Sequence, residues 1–183
     1  MTKRQLVACA ATLPAVLAAG IWTGLSAAGQ GAANVATTGL TARLSAAQEI
    51  PRPKGARAGA QGTFSAALVR SGAGGTLSWL LSFKGLTGNA TASHIHVGAR
   101  GRAGNVRLSL CGPCRSGARG SARVDARTVT ALLTGNTYVN VHTARNAAGE
   151  IRGQITRSAK VAPPPTTPPP GTETGVTDPY PNG

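Results

Sequence analysis

The sequence predicts an all-β fold, an antiparallel β-sandwich or flattened barrel with one short helix, and three observations carry that prediction. Apolar residues recur with period two in several stretches between Leu40 and Arg157, as expected of strands with one buried face. Glycine-rich breaks separate the stretches at Gly72-Ala73-Gly74-Gly75, Gly85 through Gly88, and Gly98 through Gly104. The regular strand–helix alternation of a parallel sheet is not visible.

Taken in order, the chain opens with Lys3 and Arg4, then an apolar run from Leu6 to Leu25 broken by Pro14, then Ser26-Ala27-Ala28. A positive start, an apolar middle and a small-x-small end describe a secretory signal peptide, assigned to residues 1–28. An uncleaved anchor is the competing reading, since the run approaches the ~20 residues of a spanning helix; Pro14 and the flanking small residues favour cleavage. Leu6-Val7-Ala8-Cys9 looks like a lipoprotein cleavage box but precedes the apolar stretch, so it is taken as coincidence. Cys9 would leave with the signal, and no membrane span would remain after cleavage.

Residues 29–39 are expected to be a flexible N-terminal segment and residues 40–157 the folded domain. Leu40, Ala42 and Leu44 alternate with Thr41, Arg43 and Ser45; Phe64, Ala66 and Leu68 follow the same rule. Leu77, Trp79, Leu81 and Phe83 share one face of a further strand, and Val106, Leu108 and Leu110 one face of another. Ile151, Gly153 and Ile155 alternate with Arg152 and Gln154. The stretch Asp125–Gly135 breaks the period: Asp125 is a helix N-cap candidate, Val129, Leu132 and Leu133 are spaced for one helical face, and Gly135 ends it. The count is seven to nine strands. From residue 158 to 183 the chain is Pro/Thr-rich and polar, and such a tail cannot bury enough apolar surface to order itself.

Composition narrows the function. The 183 residues hold five Asp plus Glu and three His, against 19 Lys plus Arg, 15 of them Arg, for a formal charge of +14. Aromatics make up 3% and the arginines are dispersed, which speaks against specific nucleic-acid binding and leaves salt-sensitive adhesion to acidic surface polymers. There is no Gly-x-Ser-x-Gly elbow, and the domain holds three acidic residues, Glu49, Asp125 and Glu150, so a hydrolase triad has little to draw on. A non-enzymatic protein is expected. Glu150 and Arg152 read as a surface ion pair.

Two segments are more distinctive than this background: Ser93-His94-Ile95-His96-Val97-Gly98, and Tyr138-Val139-Asn140-Val141-His142-Thr143 followed by Gly149-Glu150-Ile151-Arg152-Gly153-Gln154. With Leu44-Ser45-Ala46-Ala47-Gln48-Glu49-Ile50-Pro51, they closely resemble the CHRD domain, the module first described as repeats in chordin and found in many secreted microbial proteins. The resemblance covers Leu40–Ile155. It implies an all-β, extracellular domain, without a settled activity. The expectation is a secreted or cell-surface, Ig-like or superoxide-dismutase-like barrel acting as a binding module, its partner an extracellular protein or, through the basic exterior, an acidic surface polymer. The cysteine-rich modules of chordin are absent.

Residues i and i+2 of a strand share a face, so His94 and His96 project together, as do Tyr138, Asn140 and His142. If the two strands are neighbours, His94, His96 and His142 form a three-nitrogen site of the kind that suits copper or zinc. Tyr138, Asn140 or Glu150 would serve as an outer partner or additional ligand. The competing reading is a buried hydrogen-bond network of these histidines with Asn140, Thr143, Asn146, Glu150 and Arg152. The His94–Gly98 run is also similar to the paired-histidine strand of copper/zinc superoxide dismutases, but those enzymes use more histidines and a zinc-binding Asp, so the likeness stops at strand geometry. Cys111-Gly112-Pro113-Cys114 matches the thioredoxin tetrapeptide without its following helix; a local disulfide in an oxidising compartment is the simpler reading and a redox pair the alternative.

Overall fold

A computed structural model describes residues 36–160. The expected signal peptide, Cys9 and the tail beyond Lys160 lie outside the described residues. The elements are β1 (Thr37–Ser45), a 3-10 turn (Ala46–Gln48), β2 (Gln61–Ser71), β3 (Gly74–Lys84), β4 (Ala90–Val97), β5 (Val106–Cys111), β6 (Ala118–Val124), α1 (Ala126–Leu133), β7 (Thr137–Thr143), β8 (Ile151–Gln154) and β9 (Thr156–Ser158). Strand order is β5-β4-β7-β8-β1-β2-β3-β6, with β9 also on β1, and every pairing is antiparallel. The result is the predicted all-β architecture, a nearly closed barrel-like sheet with one helix.

The period-two reading places the core correctly in most strands. Leu40, Ala42 and Leu44 of β1, Phe64, Ala66 and Leu68 of β2, and Leu77, Trp79 and Leu81 of β3 are buried. From the other side of the barrel, Ile95, Val139, Val141, Ile151 and Ile155 join them. Aliphatic chains supply most of this interior, at roughly 1.5–3 kcal/mol for each large side chain removed from water.

Val106 departs from the expectation: it is 53% exposed, although Leu110 of the same strand is buried. The pairing of β4 with β5 shifts register twice, between Ser93 and His94 and between Ile95 and His96. Bulges of this kind twist an edge strand away from its neighbour, so strict alternation does not carry through β5.

β5 and β6 are the two ends of the strand order. Arg107 of β5 donates from Nε to Thr128 Oγ1 of α1 at 2.6 Å and from Nη2 to Asp125 at 2.6 Å. Asp125 also caps α1, accepting the Thr128 amide at 2.9 Å. Bonds from the Thr128 hydroxyl and from Arg107 hold the Asp125 carboxyl well below the usual carboxylate range. The N-cap read from sequence thus also ties the helix after β6 to β5.

Candidate metal centre

β4 and β7 lie side by side with His94 opposite Asn140, His96 opposite Tyr138 and Ala92 opposite His142. This adjacency, which the sequence left open, brings the three imidazoles together. All seven residues of β7 are buried: Val139 and Val141 face the core, while the polar face is covered by the loop after β4, the loop after β7 and the segment after β1.

Those loops set the histidine tautomers. His96 Nδ1 lies 2.9 Å from the Gly104 carbonyl, and His142 Nδ1 lies 2.9 Å from the Ala147 carbonyl. A carbonyl only accepts, so both Nδ1 atoms carry protons and both Nε2 atoms present lone pairs. His142 Nε2 lies 3.0 Å from His94 Nδ1. His96 Nε2 is buried with no hydrogen-bond partner among the described residues. One ring nitrogen from each histidine falls in a group whose members lie within 4.8 Å of one another. Two nitrogens bound at ~2.0–2.1 Å stand about 3–4 Å apart, according to geometry, so drawing the widest pair together takes a movement of about 1 Å.

Ring protonation is disfavoured at two of the three. Burial pulls the His94 imidazole below its ordinary value, helped by the neighbouring His142 and His96. Burial does the same to His142, against the opposing Ala147 hydrogen bond and with a smaller contribution from His96. Neutral imidazole is the form that ligates.

Tyr138 stacks on His96 with ring centroids 4.9 Å apart and planes 8° from parallel. Arg152 of β8 places its Cζ 3.4 Å from the Tyr138 centroid, so the phenol ring is flanked from both neighbouring strands. The Gly104 amide donates to Tyr138 Oη at 3.1 Å. Gly104 is therefore held by both aromatic side chains, and a Cβ there would overlap the Val97 carbonyl. Tyr138 thus orients His96 through stacking and through this shared peptide.

Asn140 sits between His94 and Arg152 in the cross-strand row, buried and with Oδ1 unpartnered among the described residues. Glu150 is placed elsewhere. Its Oε1 accepts the Thr87 amide at 2.7 Å, and Oε2 accepts the Thr87 and Thr143 hydroxyls, both at 2.6 Å, and Asn146 Nδ2 at 3.2 Å. Burial pushes this carboxyl up, but the bonds from Thr143, Thr87 and Asn146 outweigh it and leave it below its ordinary value. Both oxygens are committed to holding loops, and no hydrogen bond joins Glu150 to a histidine.

The surface ion pair of Glu150 and Arg152 is overturned: they are 0% and 2% exposed and do not pair. Their two-residue spacing looked like a solvent edge because nothing local in the sequence reveals the loops that cover this face. For the same reason the sequence carries no local sign of Glu49, 2% exposed, as a buried group, or of the Gly104 and Ala147 carbonyls that orient the rings. Cys111 and Cys114 form a disulfide at the end of β5, with Cα atoms 5.2 Å apart, and the next element is β6 rather than a helix.

A family model described as CHRD domain matches residues 40–155. No curated protein and no solved structure is detectably similar to the chain.

Proposed function

The chain belongs to the CHRD domain family, and from that premise we propose that it is a secreted, non-enzymatic binding module whose ligand-bearing centre is a three-histidine site for Cu(II) or Zn(II). His94, His96 and His142 are the ligands. Tyr138 and the Gly104 and Ala147 carbonyls hold their rings, and a fourth coordination position is left to solvent or to a partner's donor. The strongest support is the paired anchoring of His96 and His142: each Nδ1–H is fixed by a main-chain carbonyl, so each Nε2 keeps its lone pair, His96 Nε2 without a partner among the described residues and His142 Nε2 in the contact with His94 that a metal would replace. That is the outer-shell arrangement ligating histidines usually show.

Extracellular placement rests on the family and on the signal-like residues 1–28. An extracellular protein or an acidic surface polymer is the partner this reading expects, the latter supported by the formal charge of +14.

The rival reading is a purely structural network, favoured by the 3.0 Å contact between His94 and His142. Titration of chelator-treated protein with Cu(II) and Zn(II) separates the two. A 1:1 saturable complex, weakened roughly a hundredfold or more in His142→Ala, supports the metal centre. Parent protein that takes up neither ion at micromolar concentration, while His142→Ala loses thermal stability, establishes the network instead.

A further inference from the structure

The buried charges beside Tyr138 are not balanced by the described residues. Arg152 is 2% exposed. Its Nη2 donates to the carbonyls of Ala99 at 3.1 Å and Arg102 at 2.8 Å, while Nη1 is buried with no hydrogen-bond partner among the described residues. The salt bridge among those residues is Arg107–Asp125, which leaves Arg152 without a carboxylate within 4.0 Å. An interior charge without a counterion is costly.

Glu49 is the acidic group whose field Arg152 feels, and it is a weak counterion. Its Oε1 accepts the Ile50 amide at 3.0 Å, and Oε2 has no partner among the described residues. Burial pushes its carboxyl up to about 7, despite the Ile50 amide and Arg152.

Both side chains line a cavity of about 460 Å³, bounded by Ala47–Ile50 and Arg52 on one side and Arg100 and Gly101 on the other, with Gln154 beside Arg152. Arg52 and Arg100 are exposed at its rim. Three arginines therefore line one space with a single carboxyl, whose ionisation burial disfavours. Arginine's planar fork suits the paired oxygens of a carboxylate or phosphate.

We propose that this cavity is an oxyanion site, taking a carboxylate or phosphate group with Arg52 and Arg100 gripping it and Arg152 supplying the interior positive charge. The site shares no ligand with the histidine centre, although Arg152 stacks on the Tyr138 ring that lies against His96. The oxyanion comes either from a free small molecule or from a residue of an acidic polymer, and both present the same chemistry to the arginines.

Calorimetric titration of metal-free protein at low salt tests this, with inorganic phosphate, D-glucuronate and polygalacturonate as probes. Saturable 1:1 binding of phosphate or glucuronate is expected, weakened roughly tenfold in Arg100→Gln and in Arg52→Gln and unchanged in Arg123→Gln on β6. Polygalacturonate binding with the same arginine dependence would identify the polymer as a source, and monomer binding alone a small molecule. Binding that persists in His94→Ala keeps the result separate from the metal reading.

Several results would overturn the proposal. Neither monomer saturating is one, and an equal loss in Arg123→Gln, which would mean a diffuse field, is another. Polymer binding without monomer binding would reassign the effect to the general surface. A large loss of thermal stability in Glu49→Gln, with no anion bound by the parent, would make Glu49 itself the counterion.

Discussion

His94 and His142 stand 48 residues apart in sequence, and their ring nitrogens meet at 3.0 Å, Nδ1 to Nε2. Since His142 Nδ1 donates to Ala147, His94 supplies the proton in this contact. A metal bound there would replace that hydrogen, with His94 carrying its proton on Nε2 instead of Nδ1. The same pair would therefore serve as a hydrogen bond without metal and as two adjacent ligands with it.

Gly104→Ala tests the anchoring of His96. The added methyl overlaps the Val97 carbonyl, so the Gly104 peptide must move and the bonds to His96 and Tyr138 loosen. Metal affinity should fall roughly 10–100-fold, and thermal unfolding should show a loss of about 1–3 kcal/mol. Unchanged metal affinity would remove Gly104 from the account of the site.

Glu150→Gln and Thr143→Val probe the loop clamp rather than the metal centre. Each leaves buried polar partners short of a hydrogen bond, at a cost of about 1–3 kcal/mol. Chemical denaturation should report that loss while the 1:1 metal stoichiometry persists. Abolished metal binding in a folded Glu150→Gln variant would return this residue to the centre.

Stability should depend on pH through Glu49. Its folded-state value of about 7 lies above the ordinary 4.5, so the folded protein holds this proton more tightly than the unfolded chain. The stabilisation is fully present below about pH 4.5 and is lost as pH rises through about 7, up to about 3 kcal/mol in all. Glu49→Gln should flatten that part of the profile. An unchanged slope in the variant assigns the pH dependence to other groups.

Reduction of the Cys111–Cys114 disulfide closes the set. The ring it forms is short, so chain-entropy reasoning gives about 2 kcal/mol. Cys111→Ala/Cys114→Ala should lower the melting temperature and remove its sensitivity to reductant, leaving the metal centre intact. No difference between reduced and oxidised parent would show that the staple adds nothing.

The fold was legible wherever burial on one face writes period two into the chain, as in β1, β2 and β3, and where Asp125 announces a helix. β6 carries little of this signal, because three of its four inward positions, Ala118, Gly120 and Ala122, are too small to register as an apolar stripe and Val124 alone is large. Gly120 is small for a reason found only in three dimensions: a Cβ there would strike the Trp79 indole. The shared faces of the histidines were readable from i, i+2 spacing. Which strands adjoin, and which loops seal the polar face, depends on long-range pairing that local pattern does not encode. Local pattern therefore gives no sign that Glu49 is buried, and it leaves Glu150 and Arg152 open between a surface ion pair and a buried network, of which their burial favours the second.

The sheet does not close on itself: β5 and β6 end the strand order, joined by the bonds of Arg107 to Asp125 and Thr128 and not by a backbone ladder, and such ends are where another chain's backbone would most readily add on. Arg107 stands on one margin, and Arg119 and Arg123 are exposed on the other. Asp125 takes up the charge of Arg107, so the unpaired charge lies on the β6 rim, where exposed arginines disfavour edge-to-edge pairing, a device natural sheets use against stacking into fibres. Part of the arginine excess, Arg119 and Arg123, thus stands where an unsewn barrel side is most open to another strand.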